Sequence, residues 1–136
     1  MRKILFRGKR IDNGEWVTGS FVMDGTEFLC GKQWAYGFIR VINAETLNPE
    51  MIEIDRKTVG QYTGLTDNNG KKIFEGDIVQ HDFGTEQIGK QNAVVEYSQR
   101  HAGFMIKPLD NWMYCEKADC IVIGNIHDNS ELLGGE

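Results

Sequence analysis

The sequence predicts a mainly β protein, built as a barrel or sandwich. Three observations carry this. Short runs of β-branched, aromatic and aliphatic residues recur along the chain. Gly-, Asn- and Asp-rich turn signals separate them. No segment sustains a helical period. The densest example is residues 63–79, Thr-Gly-Leu-Thr-Asp-Asn-Asn-Gly-Lys-Lys-Ile-Phe-Glu-Gly-Asp-Ile-Val. Asp67, Asn68 and Asn69 supply side chains that bond nearby backbone, and Gly70 accepts positive φ. Glu75, Gly76 and Asp77 repeat the device before Ile78 and Val79 open a strand.

Residues 2–22 read as a hairpin. The first strand centres on residues 3–7, the turn is Asp12-Asn13-Gly14, and the second strand is residues 16–22. Asn-Gly is a strong short hairpin signal because both residues accept positive φ. Residues 27–30 and 34–42 are two further strands, split by Gly31-Lys32-Gln33. Residues 43–50 form a loop containing Pro49, and residues 51–55 form another strand. Downstream, strands are expected at 59–62, 78–82, 93–97, 104–107 and 121–126. Residues 84–92 are polar and read as a mobile loop. Residues 128–133 read as one capped helical turn ended by Gly134-Gly135. A change in charge balance and turn spacing near Arg56 divides the chain into residues 1–56 and 57–136.

The 136 residues allow one domain or two small ones. Hydrophobic residues at 40% and charged residues at 26% suit a packed core and exclude long disorder. No apolar run is long enough to span a bilayer as a helix, so no membrane role is expected. The apolar piece near the N-terminus, Ile4 to Phe6, is too short for a secretory leader. Cys30, Cys115 and Cys120 are odd in number, which fits reduced thiols in a cytoplasm.

The net charge of −5 resides downstream. Residues 1–56 hold 8 basic and 8 acidic residues, and residues 57–136 hold 7 and 12. An acidic surface disfavours nucleic acid, whose binding draws most of its affinity from phosphate neutralisation. The basic start (Arg2, Lys3, Arg7, Lys9, Arg10) is a local exception, and its simplest role is a solvated strand edge.

No pattern of catalytic chemistry emerges. The phosphate-cradling loop, the dinucleotide fingerprint and the nucleophile elbow are absent. At Asp67-Asn68-Asn69-Gly70 an EF-hand loop would need further ligands where Leu65 and Gly76 stand. A zinc site could use Cys115, Cys120 and His127, but the second cysteine pair is missing and a fourth ligand would have to come from His101, Cys30 or Asp119. Ser98 and His101, with Glu96 and Arg100 beside them, read as a solvated turn. A loop-assembled enzyme site around His81, Asp82 and His101 is the remaining catalytic alternative. The expectation is therefore no catalytic residue, no metal and no cofactor.

The aromatic residues carry more information. Trp34, Tyr36 and Phe38 alternate, so in a strand they share one face, with Ala35 and Gly37 on the other. Such a strip packs a core or subunit interface, or stacks bases. Trp112 and Tyr114 repeat the spacing at what reads as a loop tip.

Residues 62–79 resemble the signature of the YopX family of bacteriophage and prophage proteins. The opening Arg2-Lys3-Ile4-Leu5-Phe6-Arg7 and the closing residues 122–133 are similar too. Near the end His127 and Ser130 stand where family members usually have an aromatic and a proline. The resemblance implies an SH3-like β-barrel for residues 57–136, a phage-derived origin and a bacterial cytoplasm. It implies no activity, and it offers no functional residue to carry over. Gly64, Asp67, Asn69, Gly70, Gly76 and Asp77 are read as a structural turn motif. Trp34, Tyr36, Phe38 and Trp112 are the candidate binding residues. The expected role is a non-enzymatic accessory protein with a host or phage protein partner, with homo-oligomers open. Nucleic-acid binding through the basic start and the aromatic strip is the alternative.

Overall fold

The computed structural model describes residues 3–29, 32–82, 90–107, 111–112 and 120–133. The chain is mainly β and its sheets are antiparallel. It divides into two compact units, Met1–Gln61 and Tyr62–Glu136. Arg56 and the division at Gln61 lie in one strand, β4 (Pro49–Thr66).

The upstream unit contains β1 (Phe6–Arg10), β2 (Trp16–Leu29), β3 (Lys32–Ile42) and the first part of β4. β1 pairs with β2, β2 with β3 and β3 with β4. β4 also pairs back onto β1, Phe6 facing Gln61 and Arg10 facing Ile54, so the four strands close a ring. The first hairpin forms over the Asn13-Gly14 turn, with Gly14 at φ 73° and Lys9 facing Trp16. The interior of a four-stranded ring is too narrow for large side chains at every inward position. Ile39 and Ile54 fill it. Gly8 and Gly19 make room, since a methyl on Gly8 would collide with Ile54 and one on Gly19 with the Arg40 carbonyl oxygen.

Several strand boundaries differ from the sequence expectation. The first strand starts at Phe6, three residues late. Residues 27–29 continue β2 instead of forming their own strand, because Asp24, Gly25 and Thr26 stay in the ladder opposite Tyr36, Ala35 and Trp34. A long partner strand overrides their weak β propensity. The strands expected at 51–55 and 59–62 are one strand with an irregularity. Between Arg7 and Lys9 the β1–β4 register jumps from Gly60 to Asp55. Thr58 repairs the interrupted ladder. Its hydroxyl accepts from the Lys9 amide at 2.8 Å and donates to the Asp55 carbonyl at 2.6 Å.

In the downstream unit, the end of β4 pairs with β5 (Lys72–Phe74), Tyr62 facing Phe74. β6 (Asp77–Asp82), β7 (Lys90–Ser98), β8 (Gly103–Lys107), β9 (Asn111–Trp112) and β10 (Cys120–Asn125) form a sheet in the order β10-β6-β7-β8-β9. Ile73, Val79, Ala93, Val95, Ile106 and Cys120 form the core, with Leu65, Phe104 and Val122 packed on it. β5 was not expected from its three residues. Lys90, Gln91 and Asn92 belong to β7, not to a loop, because they face Asp82, His81 and Gln80. The rest of the expected mobile loop lies outside the described residues. Asn111 and Trp112 are a short strand facing Ile106 and Met105, not a loop tip. Ser130–Leu133 form a single 3-10 turn, and Gly134 and Gly135 lie outside the described residues.

Candidate functional site

The turn motif of residues 63–79 resolves into two buried carboxylates and three glycines. Gly64, Gly70 and Gly76 have φ of 91°, 80° and 90°, a region where an L side chain is strained. Asp67 is buried. One of its oxygens accepts from the amides of Asn69 at 2.8 Å and Lys71 at 2.9 Å. The other accepts from Val122 of β10 at 2.9 Å. Burial is the largest influence on this carboxyl and pushes its pKa up. The Val122, Lys71 and Asn69 amides, with the Lys71 charge, outweigh it and hold the pKa below the usual carboxylate value. Asp77, 1% exposed, accepts from the Phe74 amide at 2.7 Å. The Gly76 amide donates to Val95 and its carbonyl accepts from Ile126 at 2.9 Å. Both carboxylates hold backbone amides, and Asp67 ties its turn to a strand residue 55 positions away in sequence.

The closing residues form a second set of side-chain-to-backbone bonds. The Asn125 side-chain oxygen accepts from the amides of His127 and Asp128, both at 3.0 Å. Asn129 accepts from the Asn125 amide at 3.2 Å, and a methyl on Gly124 would press into Asn129. The Asn92 side chain donates to the Leu132 carbonyl at 2.8 Å, tying the 3-10 turn to β7.

Trp34, Tyr36 and Phe38 occupy alternate register positions of β3, facing Thr26, Asp24 and Val22. Phe38 is half-buried. β1 pairs with β2 only as far as Gly19, and β4 pairs with β3 only from Gly37 onward. Among the described pairings, residues 24–29 and 32–36 therefore pair only with each other. They extend the ring as a two-stranded ribbon of roughly 20 Å, at about 3.4 Å per residue. Trp34 and Tyr36 stand on this ribbon. Trp112 belongs to the other unit, facing Met105.

Trp16 is a residue that sequence reasoning missed. Arg7 and Lys9 are two apart on β1, so they share a face, and Trp16 faces Lys9 across the hairpin. The Arg7 guanidinium lies 4.6 Å from the Trp16 ring centre, and the Lys9 ammonium 5.7 Å. Both distances are within cation–π range. The signal was present in the Asn-Gly turn, which sets the register that brings these three together. Arg10 is separately engaged, at 2.8 Å from Asp12. The hydrogen bond from Arg10 leads in lowering the Asp12 pKa.

The catalytic alternatives are not brought together. Ser98 Oγ and His101 Nδ1 are 3.1 Å apart in an exposed turn, and the same Oγ accepts from the His101 amide. His81 faces Gln91 at one end of β7, whereas His101 follows the other end. Seven residues of strand separate those ends, roughly 24 Å. Cys120 is in no disulfide and lies in the core, 2% exposed. Cys30, Cys115 and Asp119 lie outside the described residues. Among the described residues no three His, Cys, Asp or Glu side chains are grouped to hold a metal. No helix among them is long and apolar enough to cross a membrane.

The bond from Val122 to Asp67 and the bond from Ile126 to Gly76 join the two most distinctive stretches of sequence. A family model described as YopX protein matches residues 5–134. The chain belongs to the YopX family. Its fold is similar to the crystal structure of protein EF1440 from Enterococcus faecalis, with a TM-score of 0.59 and 26% identity, over 98% of this chain and 99% of that one. No curated protein matches it. In this YopX family member, the family signature contains the buried carboxylates Asp67 and Asp77, which accept amides of the backbone.

Proposed function

We propose that this YopX family member is a non-enzymatic protein-interaction module, an accessory protein of phage or prophage origin acting in the bacterial cytoplasm. The observation that carries the reading is the two-stranded ribbon of residues 24–29 and 32–36. A two-stranded ribbon has marginal stability alone. Its outer edges offer backbone groups to which another chain can add. Trp34 and Tyr36 stand on it, and large aromatics contribute heavily to protein interfaces. The antiparallel order of the downstream unit is compatible with the SH3-like barrel that the family resemblance implies.

A host or phage protein is the partner. Nucleic-acid binding through the basic start and the aromatic strip is the weaker alternative. Arg7 and Lys9 already lie over Trp16, Arg10 is paired with Asp12, and the chain as a whole is acidic. The test is affinity capture from phage-carrying cells with the native chain and with a Trp34→Ala, Tyr36→Ala variant. A stoichiometric protein should be recovered with the first and lost with the second. Equal recovery by both, or salt-dependent binding of single-stranded DNA in place of a protein, would overturn the reading.

A further inference from the structure

The outer face of the upstream unit carries a line of aliphatic side chains beside the loop that joins β3 to β4. Ile39 and Ile54 are buried inside the ring. Strand alternation therefore turns Arg40, Ile42, Met51 and Glu53 outward. The register sets Ile42 opposite Pro49 and Arg40 opposite Met51, so Ile42 and Met51 are diagonal neighbours, about 7–8 Å apart. On the other side of β4, the Ile11 amide donates to the Glu53 carbonyl at 3.2 Å, which brings Ile11 alongside. Ile42, Met51 and Ile11 are 56%, 49% and 59% exposed. Leu47, in the adjoining loop, is exposed as well. A contiguous apolar patch with a polar margin marks an interaction surface.

Between Ile11 and Met51 the surface sinks into an open depression of about 570 Å³. Its charged lining is Arg10, Asp12, Glu50 and Glu53. Arg10 is bonded to Asp12 at 2.8 Å, so that pair cancels. Glu50 and Glu53 set the charge that remains. The Asn43 side-chain amide donates to Glu50 at 2.7 Å. This neutral donor fixes the carboxylate in place and leaves its charge. Glu45 adds a third acid in the loop, and Arg40, opposite Met51, offsets one of the three. The face is aliphatic at its centre and negative at its margin.

We infer that this face docks a cationic, apolar segment of another protein. Aliphatic side chains of the partner lie across Ile42, Met51 and Ile11, and its Lys or Arg groups reach Glu50 and Glu53. Charge decides the class of occupant. The surplus carboxylates repel nucleic acid and anionic lipid, both of which are held by cations on the protein. The centre calls for an aliphatic partner, because its side chains gain only when another apolar surface removes them from water. The inference rests on the protein-interaction reading and supplies the chemistry of one partner surface. It uses a face apart from the ribbon, since Trp34 and Ile42 are eight residues apart on β3, roughly 27 Å.

Fluorescence anisotropy with labelled synthetic peptides tests it. A peptide of alternating leucine and lysine should bind the native chain. Alternating leucine–glutamate and serine–lysine peptides should each bind at least about tenfold more weakly, a difference of about 1.4 kcal/mol. Met51→Ser and Glu53→Lys change exposed side chains, so both should melt close to the native chain. Each should weaken the leucine–lysine complex by a similar factor, and Ile11→Ser repeats the test from the β1 side. Glu131→Lys, at an exposed acid of the downstream unit, should leave binding unchanged. So should Trp34→Ala combined with Tyr36→Ala. No binding of the leucine–lysine peptide, or equal binding of all three peptides, would overturn the proposal. Equal affinity of E53K and E131K would do so too, as would loss of binding in the Trp34, Tyr36 variant, which would move the peptide to the ribbon. A native dimer that Met51→Ser dissociates would assign the face to a second copy and overturn it as well. Failure at this face leaves protein capture through Trp34 and Tyr36 standing.

Discussion

The Asp67 carboxylate accepts the Val122 amide at 2.9 Å while its other oxygen closes the turn through Asn69 and Lys71. One buried side chain therefore shapes a local loop and attaches the strand β10. Asn would keep a single carbonyl oxygen and present an NH₂ donor to amide donors. Asp67→Asn should lower stability by about 2–3 kcal/mol, from stranded buried amides. Chemical denaturation gives the size, and hydrogen exchange should show Val122 among the amides losing protection.

The pH dependence has a definite sign. The folded Asp67 pKa is depressed below its ordinary value. Its contribution is therefore complete above the unfolded value, roughly pH 4, and is lost as pH falls through the lower folded value. Acid denaturation of the native chain should include this loss. In Asp67→Asn the stability curve should be flatter below about pH 4. An unchanged acid limb in the variant would show that Asp67 does not contribute.

Thr58 stands in for a missing rung. Its hydroxyl bridges the Lys9 amide and the Asp55 carbonyl where the β1–β4 ladder jumps. Thr58→Val keeps the shape and removes both bonds. We expect a loss of about 1–3 kcal/mol, with Thr58→Ser losing less. Thermal or urea unfolding of the three proteins gives the comparison.

The upstream ring is intolerant of added volume. Gly19→Ala places a methyl against the Arg40 carbonyl oxygen and Ile39, so at least about 1–3 kcal/mol of overpacking is expected. Gly14, at φ 73° with open space around it, should accept Asn with a much smaller change. Parallel melting curves of G19A and G14N decide whether crowding or backbone conformation governs this unit.

Removing the Asn92 amide should release the 3-10 turn from β7 with little effect on the core. Asn92→Ala loses the bond to the Leu132 carbonyl and the long 3.4 Å bond accepted from the Gln80 side chain. Limited proteolysis should cleave near Leu132 several times faster, and the main unfolding transition should shift by less than about 1.5 kcal/mol, the value of one ordinary hydrogen bond.

Much of the fold was legible from local chemistry. The Asn13-Gly14 turn and the flanking residues imply the first hairpin, and strands at 78–82, 93–97, 104–107 and 121–126 follow from short apolar runs between turns. Boundaries failed where a partner strand overrode propensity. Asp24 and Gly25 read as a break, yet they remain in β2 because β3 runs beside them. A change in charge balance near Arg56 is visible in sequence, but only the register shows that β4 runs through it with an irregularity against β1. The cluster of Trp16 with Arg7 and Lys9 was missed because cross-strand neighbours are defined by register, not by spacing.

By itself, the sequence determined the β class, the turn positions and the family signature, because glycine freedom, amide-bearing side chains and strand alternation act over a few residues. Tertiary structure decided the rest. It closed β4 onto β1, joined Asp67 to Val122 and placed Trp34 and Tyr36 on a ribbon with no third strand among the described pairings. These are contacts between residues far apart in the chain, and their positions depend on how strands pair and on how little room a narrow ring leaves inside.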